Sequence, residues 1–265
     1  MKIFETNLWE NAPGMCEEVP TLTAYIPDNK KSDAAVVIMP GGGYAMRAAH
    51  EGEGYAKFLA EHGYTAFVCA YRVSPHRFPL PLLDARRAMR TVRSKADEYG
   101  IDKNKVLIMG SSAGGHLAAL TSTYYEKIDF EGADEIDAED FIPSGQILCY
   151  PVIMLRGDDA HHGSAENLLG ERVEELGDKL SPNLMISDKT PKAFIWSTFA
   201  DGCVPVINSI NYANALHNAG IGAELHIYPD GDHGLGLADG GESKINDHVS
   251  EWSGELLKWL EYNNF

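Results

Sequence analysis

The stretch Met109-Gly110-Ser111-Ser112-Ala113-Gly114-Gly115-His116 places a serine between two glycines in the pattern G-x-S-x-G. An apolar run, Lys105 to Met109, precedes it, and a helix-like run, His116 to Tyr125, follows. In that setting the pattern is a nucleophile elbow. Gly110 and Gly114 allow a sharp strand-to-helix turn, and Ser112 takes a strained backbone conformation with its hydroxyl at the positive end of the helix. A serine hydroxyl is a poor nucleophile near neutral pH. It needs a base within hydrogen-bond reach and a carboxylate that orients the base. The chemistry this points to is acyl transfer through a covalent serine intermediate. The competing reading is a Gly/Ser-rich turn that only packs.

The partners must follow the serine in the order carboxylate, then histidine, each on a loop after a strand. Of ten histidines, His50, His62 and His76 precede the elbow. His116 lies in the helix after it and is expected to pack there. His226 falls inside a strand, and His217 and His248 inside helices. His233 stands in Pro229-Asp230-Gly231-Asp232-His233-Gly234-Leu235-Gly236, a glycine-rich loop directly after the last strand, and is the candidate base. The candidate carboxylate is Asp201, in Phe199-Ala200-Asp201-Gly202-Cys203-Val204-Pro205, after the preceding strand. Its rivals are Asp158, Asp159 and Asp232, although Asp230 and Asp232 read more easily as turn formers. Pro40-Gly41-Gly42-Gly43-Tyr44 follows the first buried strand, where an oxyanion loop belongs. Donors are expected from Gly42 or Gly43 and from the N–H of Ala113, each worth on the order of 10²–10³ in turnover. This glycine run lacks the Lys-Ser/Thr of a phosphate loop and any G-x-G-x-x-G. His161-His162 with Asp158 and Asp159 offer metal-ligand types, but adjacent histidines on a loop rarely aim at one ion. No metal or cofactor is expected.

The elements that must position these groups alternate. Strands are expected at Thr21–Pro27, Ala34–Met39, Thr65–Tyr71, Lys105–Met109, Gln146–Ile153, Ala193–Phe199 and Ala223–Tyr228. Several are continuously apolar, as strands buried on both faces are. Between them lie helical patterns at Glu51–His62, Pro81–Tyr99, His116–Tyr125 and Pro205–Asn218, with a last one at Ser243–Glu261. On the second helix Arg86, Arg87, Arg90 and Arg93 are expected on or near the solvent side. The first 20 residues read as irregular. Alternation of this kind demands parallel strands with right-handed crossovers and helices on both faces of the sheet. No repeat or linker divides the chain, so one domain over 1–265 is expected. Residues 154–190 read as an irregular, lid-like insertion with one helix near Arg172–Gly177, and the acidic stretch Glu126–Asp140 as a solvated surface insertion.

The chain has 265 residues and a net charge of −17, which disfavours nucleic acid and anionic membrane as partners. Four cysteines, Cys16, Cys69, Cys149 and Cys203, form no C-x-x-C pair. Cys69 and Cys149 are expected as buried thiols, while Cys203 sits beside Asp201. The N-terminal residues have no apolar signal-like region and no run approaches a membrane span, so a cytoplasmic location is expected.

Taken together, P-G-G-G-Y, G-S-S-A-G-G-H-L-A, D-x-x-V-P and G-D-H-G-L-G resemble the α/β-hydrolase superfamily, and more narrowly the bacterial acetyl-esterase and acetylxylan-esterase-like hydrolases. Tyr71-Arg72-Val73, Pro79-Leu80-Pro81-Leu82 with Asp84 and Arg87, Tyr150-Pro151-Val152, Gly163-Ser164 with Asn167-Leu168-Leu169-Gly170, and Ser181-Pro182 fall where such proteins carry similar words. The resemblance implies the α/β-hydrolase fold, a mostly parallel sheet of about eight strands with helices on both faces. It implies Ser112 as nucleophile, Asp201 as acid and His233 as base. The loop before the acid departs from the H-T-A-D-D common in relatives, reading Ser197-Thr198-Phe199-Ala200-Asp201 here, so local support of the acid must differ. The implied substrate is a small-molecule ester, an acetylated sugar being favoured because residues 154–190 are mixed and charged rather than apolar. Small lipases, peptidases and arylformamidases share the triad, and a silent binding module would share the fold. Oligomeric state is not legible.

Overall fold

A computed structural model of the protein describes residues 1–14, 19–129, 134–241 and 244–265. Cys16, part of the acidic stretch and the expected start of the last helix at Ser243 lie outside the described residues. Eight strands are present among those described: β1 (Lys2–Asn7), β2 (Thr21–Ile26), β3 (Ala35–Met39), β4 (Thr65–Ala70), β5 (Val106–Ser111), β6 (Gln146–Cys149), β7 (Ala193–Thr198) and β8 (Ala223–Tyr228). They form one sheet in the order β1-β2-β4-β3-β5-β6-β7-β8. β1, β2 and β4 pair antiparallel, and all pairs from β4 through β3 to β8 are parallel. The helices are α1 (Glu53–Glu61), α2 (Leu80–Ser94), α3 (Ala96–Tyr99), α4 (Ser112–Thr123), α5 (His162–Leu169), α6 (Val173–Leu176), α7 (Ile207–Asn218), α8 (Asp247–Ser250) and α9 (Trp252–Tyr262).

Why the central strands are apolar throughout follows from which face each residue covers. Ala35, Val37, Met39, Val106, Ile108, Ala193 and Ile195 join the core beneath α2, α4 and α7. Val36, Ile38, Leu107, Met109, Phe194 and Trp196 join a second core beneath α1 and α9. Each buried aliphatic or aromatic side chain contributes about 1.5–3 kcal/mol relative to exposure, so neither face tolerates a polar alternation. The sheet runs outward in both directions from β3 and β5, which lie side by side. Loops leave their carboxyl ends at the switch in strand order, the place where open α/β sheets bind ligands.

Several expectations need correction. Lys2–Asn7 is a strand, not irregular chain: it is an exposed edge strand, so no apolar pattern marks it. β6 stops at Cys149 rather than Ile153 because Tyr150 turns to φ +36 and Pro151 follows. The helix expected near Arg172–Gly177 is present as the short α6, but residues 154–190 also hold the longer α5, which was not expected. Three of the four α2 arginines are not on the solvent side: Arg86, Arg87 and Arg90 are 0%, 3% and 8% exposed, while Arg93 is partly buried. Arg87 bonds Asp134 and Asp137 at 2.5–3.0 Å, and Arg90 Nε donates to the Glu139 carbonyl at 3.0 Å. The described part of the acidic stretch is thus pinned onto α2 by these cations. Deeper in, Arg72 makes a two-pronged bond to Asp84 at 2.8 Å, and Trp9 Nε1 donates to the same carboxylate. No helix among the described residues is long and apolar enough to cross a membrane.

Candidate active site

β5 passes into α4 without a spacer, and Ser112 at the junction has φ +51. The turn is possible only because its neighbours lack side chains. A Cβ on Gly110 would lie 2.1 Å from the Gly114 carbonyl oxygen, and one on Gly114 would lie 2.0 Å from that of Met39. The Ser112 carbonyl is held by the Val152 N–H at 3.0 Å. Its hydroxyl projects toward His233 Nε2 at 2.8 Å, and His233 Nδ1 lies 2.7 Å from Asp201 Oδ2. The carboxylate can only accept, so Nδ1 carries the proton and Nε2 accepts from the serine. The Asp201 side chain is 1% exposed and that of His233 18%. The other Asp201 oxygen, Oδ1, accepts the N–H groups of Cys203 and Val204, both at 2.9 Å. Backbone amides therefore supply the local support of the carboxylate.

Ser112, Asp201 and His233 thus come together from the ends of β5, β7 and β8. The rival carboxylates do not join them. Asp158 and Asp159 are exposed in the loop before α5, and Asp232 points outward to Lys244 at 2.7 Å, which lowers its pKa. Of the proposed metal set, His161 instead caps α5, its Nδ1 accepting the Ser164 N–H at 3.2 Å, and its Nε2 lies 3.5 Å from Cys203 Sγ. Its pKa is lowered by burial first and by the nearby His233 second. No group of three or more His, Cys, Asp or Glu arranged for a metal ion occurs among the described residues. Cys69 and Cys149 are buried free thiols, and Cys203 is an exposed one whose pKa is raised by partial burial and by Asp201.

The loop after β3 rests on the elbow. A Cβ placed on Gly41 would lie 3.1 Å from that of Ser112, and Gly42 takes φ +124, where a Cβ would meet the Met46 carbonyl oxygen at 2.3 Å. Every residue of this loop is tied. The Tyr71 hydroxyl donates to the Pro40 carbonyl at 2.6 Å, and the Gly41 N–H donates to Glu51 at 2.8 Å. Ala45 N–H bonds the Gly42 carbonyl at 3.0 Å, and Asn167 Nδ2 bonds that of Gly43 at 2.9 Å. Tyr44, at φ +58, donates its hydroxyl to His116 Nδ1 at 2.7 Å. His116 Nε2 meets the Leu180 carbonyl at 2.8 Å, which fixes the tautomer. His116 does pack inside α4 as expected, and it also fastens the glycine loop to residues 154–190. Burial pushes its pKa down to about 4. Sequence reasoning passed over Glu51, Tyr150 and Asn167. Glu51 lay at the margin of a helical pattern, and only a resemblance marked the other two.

Comparison with known proteins gives a consistent picture. A family model described as BD-FAE matches residues 22–216. A crystal structure of an acetyl ester-xyloside bifunctional hydrolase from Caldicellulosiruptor lactoaceticus is 42% identical, with a TM-score of 0.91, covering 99% of this chain and 97% of that one. Among curated proteins, endo-1,4-beta-xylanase B of Butyrivibrio fibrisolvens is 35% identical over 96% of this chain. An acetylxylan esterase of Xylanibacter ruminicola is 35% identical over 89% of it. The chain spans 40% and 48% of the length of those two relatives. The fold is the α/β-hydrolase fold expected from the motifs.

Proposed function

The chain belongs to the BD-FAE family, and from that premise and the geometry of the site we propose that it is a serine carboxylic ester hydrolase acting on small acetyl esters, chiefly acetylated xylose-containing sugars. One observation carries the reading: Ser112, His233 and Asp201 form a hydrogen-bonded run of 2.8 and 2.7 Å from a serine held at φ +51. In this mechanism His233 takes the proton of Ser112 as the oxygen attacks the ester carbonyl. Asp201 stabilises the imidazolium and keeps Nδ1 as the donor. The oxyanion rests on N–H groups of Gly42 or Gly43 and of Ala113, a loop and a helix start fixed before substrate arrives. His233 then protonates the departing alcohol, and water cleaves the acetyl-enzyme by the same steps in reverse. The substrate class is supported by the similar acetylxylan esterase and acetyl ester-xyloside hydrolase. In the same reading, residues 1–265 act as one domain, with 154–190 as the cover over the site, in a cytoplasmic protein.

The reading is tested by a substrate panel of acetylated xylo-oligosaccharides, p-nitrophenyl esters from acetate to long chains, a p-nitrophenyl xyloside and a peptide amide. Acetate release from the oligosaccharides, with activity on p-nitrophenyl esters falling as the acyl chain lengthens, is expected. Preference for long acyl chains or for the amide would remove the acetyl-sugar assignment.

A further inference from the structure

Glu51 ends the turn Ala49–Glu51, and its side chain is 3% exposed. The steps above make no use of it, and burying a carboxylate is costly unless both oxygens are satisfied. Here they are, by groups that belong to different walls of the site. Oε2 accepts the Gly41 N–H at 2.8 Å, and Oε1 accepts the Tyr150 hydroxyl at 2.7 Å. The Tyr150 proton is thereby committed, so its oxygen acts as acceptor toward its other neighbours. It accepts the Gly236 N–H at 3.0 Å and faces the Tyr55 hydroxyl at 3.2 Å, which in turn accepts from Ser111 Oγ at 3.0 Å. The chain of donors runs one way, from Ser111 through Tyr55 and Tyr150 to Glu51. Beside it, His50 Nε2 donates to the Gly234 carbonyl at 2.9 Å. The Tyr150 ring meets that of His233 edge-on, with centroids 5.1 Å apart.

We propose that Glu51 is a positioning residue for ester hydrolysis: directly it holds the oxyanion loop at Gly41, and through Tyr150 it holds the base loop at Gly236, in one register about Ser112. Gly41 precedes the expected oxyanion donors, Ser111 precedes the nucleophile, and Gly236 lies three residues beyond His233. Four strand ends (β3, β5, β6 and β8) are thus referred to a single carboxylate. A positioned oxyanion donor matters most in the transition state, so the clamp acts on kcat and leaves ground-state binding nearly unchanged.

The proposal rests on the esterase reading, and the test keeps the two apart. Glu51→Gln preserves size but sets one acceptor and one donor against two donors, so whichever way the amide turns, a donor faces a donor. Tyr150→Phe removes one oxygen and keeps the ring against His233. With p-nitrophenyl acetate, Glu51→Gln is expected to lose roughly 100-fold in kcat and Tyr150→Phe about 10-fold, with KM within about threefold in both. The double variant is expected to fall no further than Glu51→Gln, because both changes open one clamp. Phosphonylation of Ser112 by a fluorophosphonate, followed by mass, reads the same clamp without ester turnover. The same losses are expected there, even if the wild-type protein leaves acetyl esters untouched. Thermal melts show whether each variant is folded. If Glu51→Gln fails to fold, Tyr150→Phe decides alone. Wild-type rates in a folded variant, a loss confined to KM, or losses that multiply in the double variant would overturn the clamp.

Discussion

Asp201 divides its two oxygens between two tasks. Oδ2 orients His233, and Oδ1 is anchored by the N–H groups of Cys203 and Val204. With Ser197-Thr198-Phe199-Ala200 ahead of Asp201, main-chain donors hold the carboxylate. Asp201→Asn keeps the shape but offers the imidazole an amide that favours the wrong tautomer. A fall of about 10³–10⁴ in kcat is expected, with Asp158→Asn at wild-type turnover, both read by steady-state kinetics on p-nitrophenyl acetate. That Ser112, Asp201 and His233 would lie together was legible because the elbow pattern sets a chain order with each group after a strand. Glu51 and Tyr150 were not, since they meet across 99 residues of sequence, and neither carries a local pattern that differs from ordinary helix or strand.

At the scale of elements, the strand-to-helix turn from β5 into α4 depends on backbone approaching backbone. Gly114→Ala would drive a methyl to 2.0 Å from the Met39 carbonyl oxygen, with no flexible side chain there to give way. A loss of at least about 2 kcal/mol in urea denaturation is expected, with reduced turnover, because α4 must retreat from the loop after β3. The glycines of the elbow announced this in the sequence. The burial of α2 was less legible. Arg86, Arg87 and Arg90 give the sequence of a helix with a wet face, but here they are covered by the acidic segment they bind. A charge pattern reports which residues are charged, and only the fold reports whether their partner is water or another segment. β1 escaped for a related reason: an edge strand with mostly exposed side chains has little apolar periodicity to betray it.

At the scale of the molecule, one sheet carries Ser112, Asp201 and His233 at or just beyond its strand ends. The parallel core was readable from uninterrupted apolar runs. The antiparallel pairing of β1, β2 and β4 was not, because pairing partners are set by packing rather than by composition. One buried group links the integrity of this assembly to pH. His116 joins the glycine loop to residues 154–190 as a buried neutral imidazole, Nδ1 accepting from Tyr44 and Nε2 donating to the Leu180 carbonyl. Its pKa is lowered from 6.5 to about 4 by burial, so the unfolded chain binds the extra proton first as pH falls. The associated stability is fully present above about 6.5 and is lost progressively as pH falls toward 4, a difference of about 3 kcal/mol. NMR titration of the His116 imidazole should show no protonation at pH 5.5 in the folded protein, and a midpoint near 6.5 would contradict this account.

The central claim, that Ser112 is the nucleophile served by His233 and Asp201, meets its most direct test in the turnover of p-nitrophenyl acetate by Ser112→Ala beside the wild-type protein. Removing the hydroxyl removes the acyl-enzyme, and a fall of at least about 10³ in kcat is expected in a variant that melts like the wild type. Turnover within tenfold of wild type would mean that the ester is cleaved without Ser112.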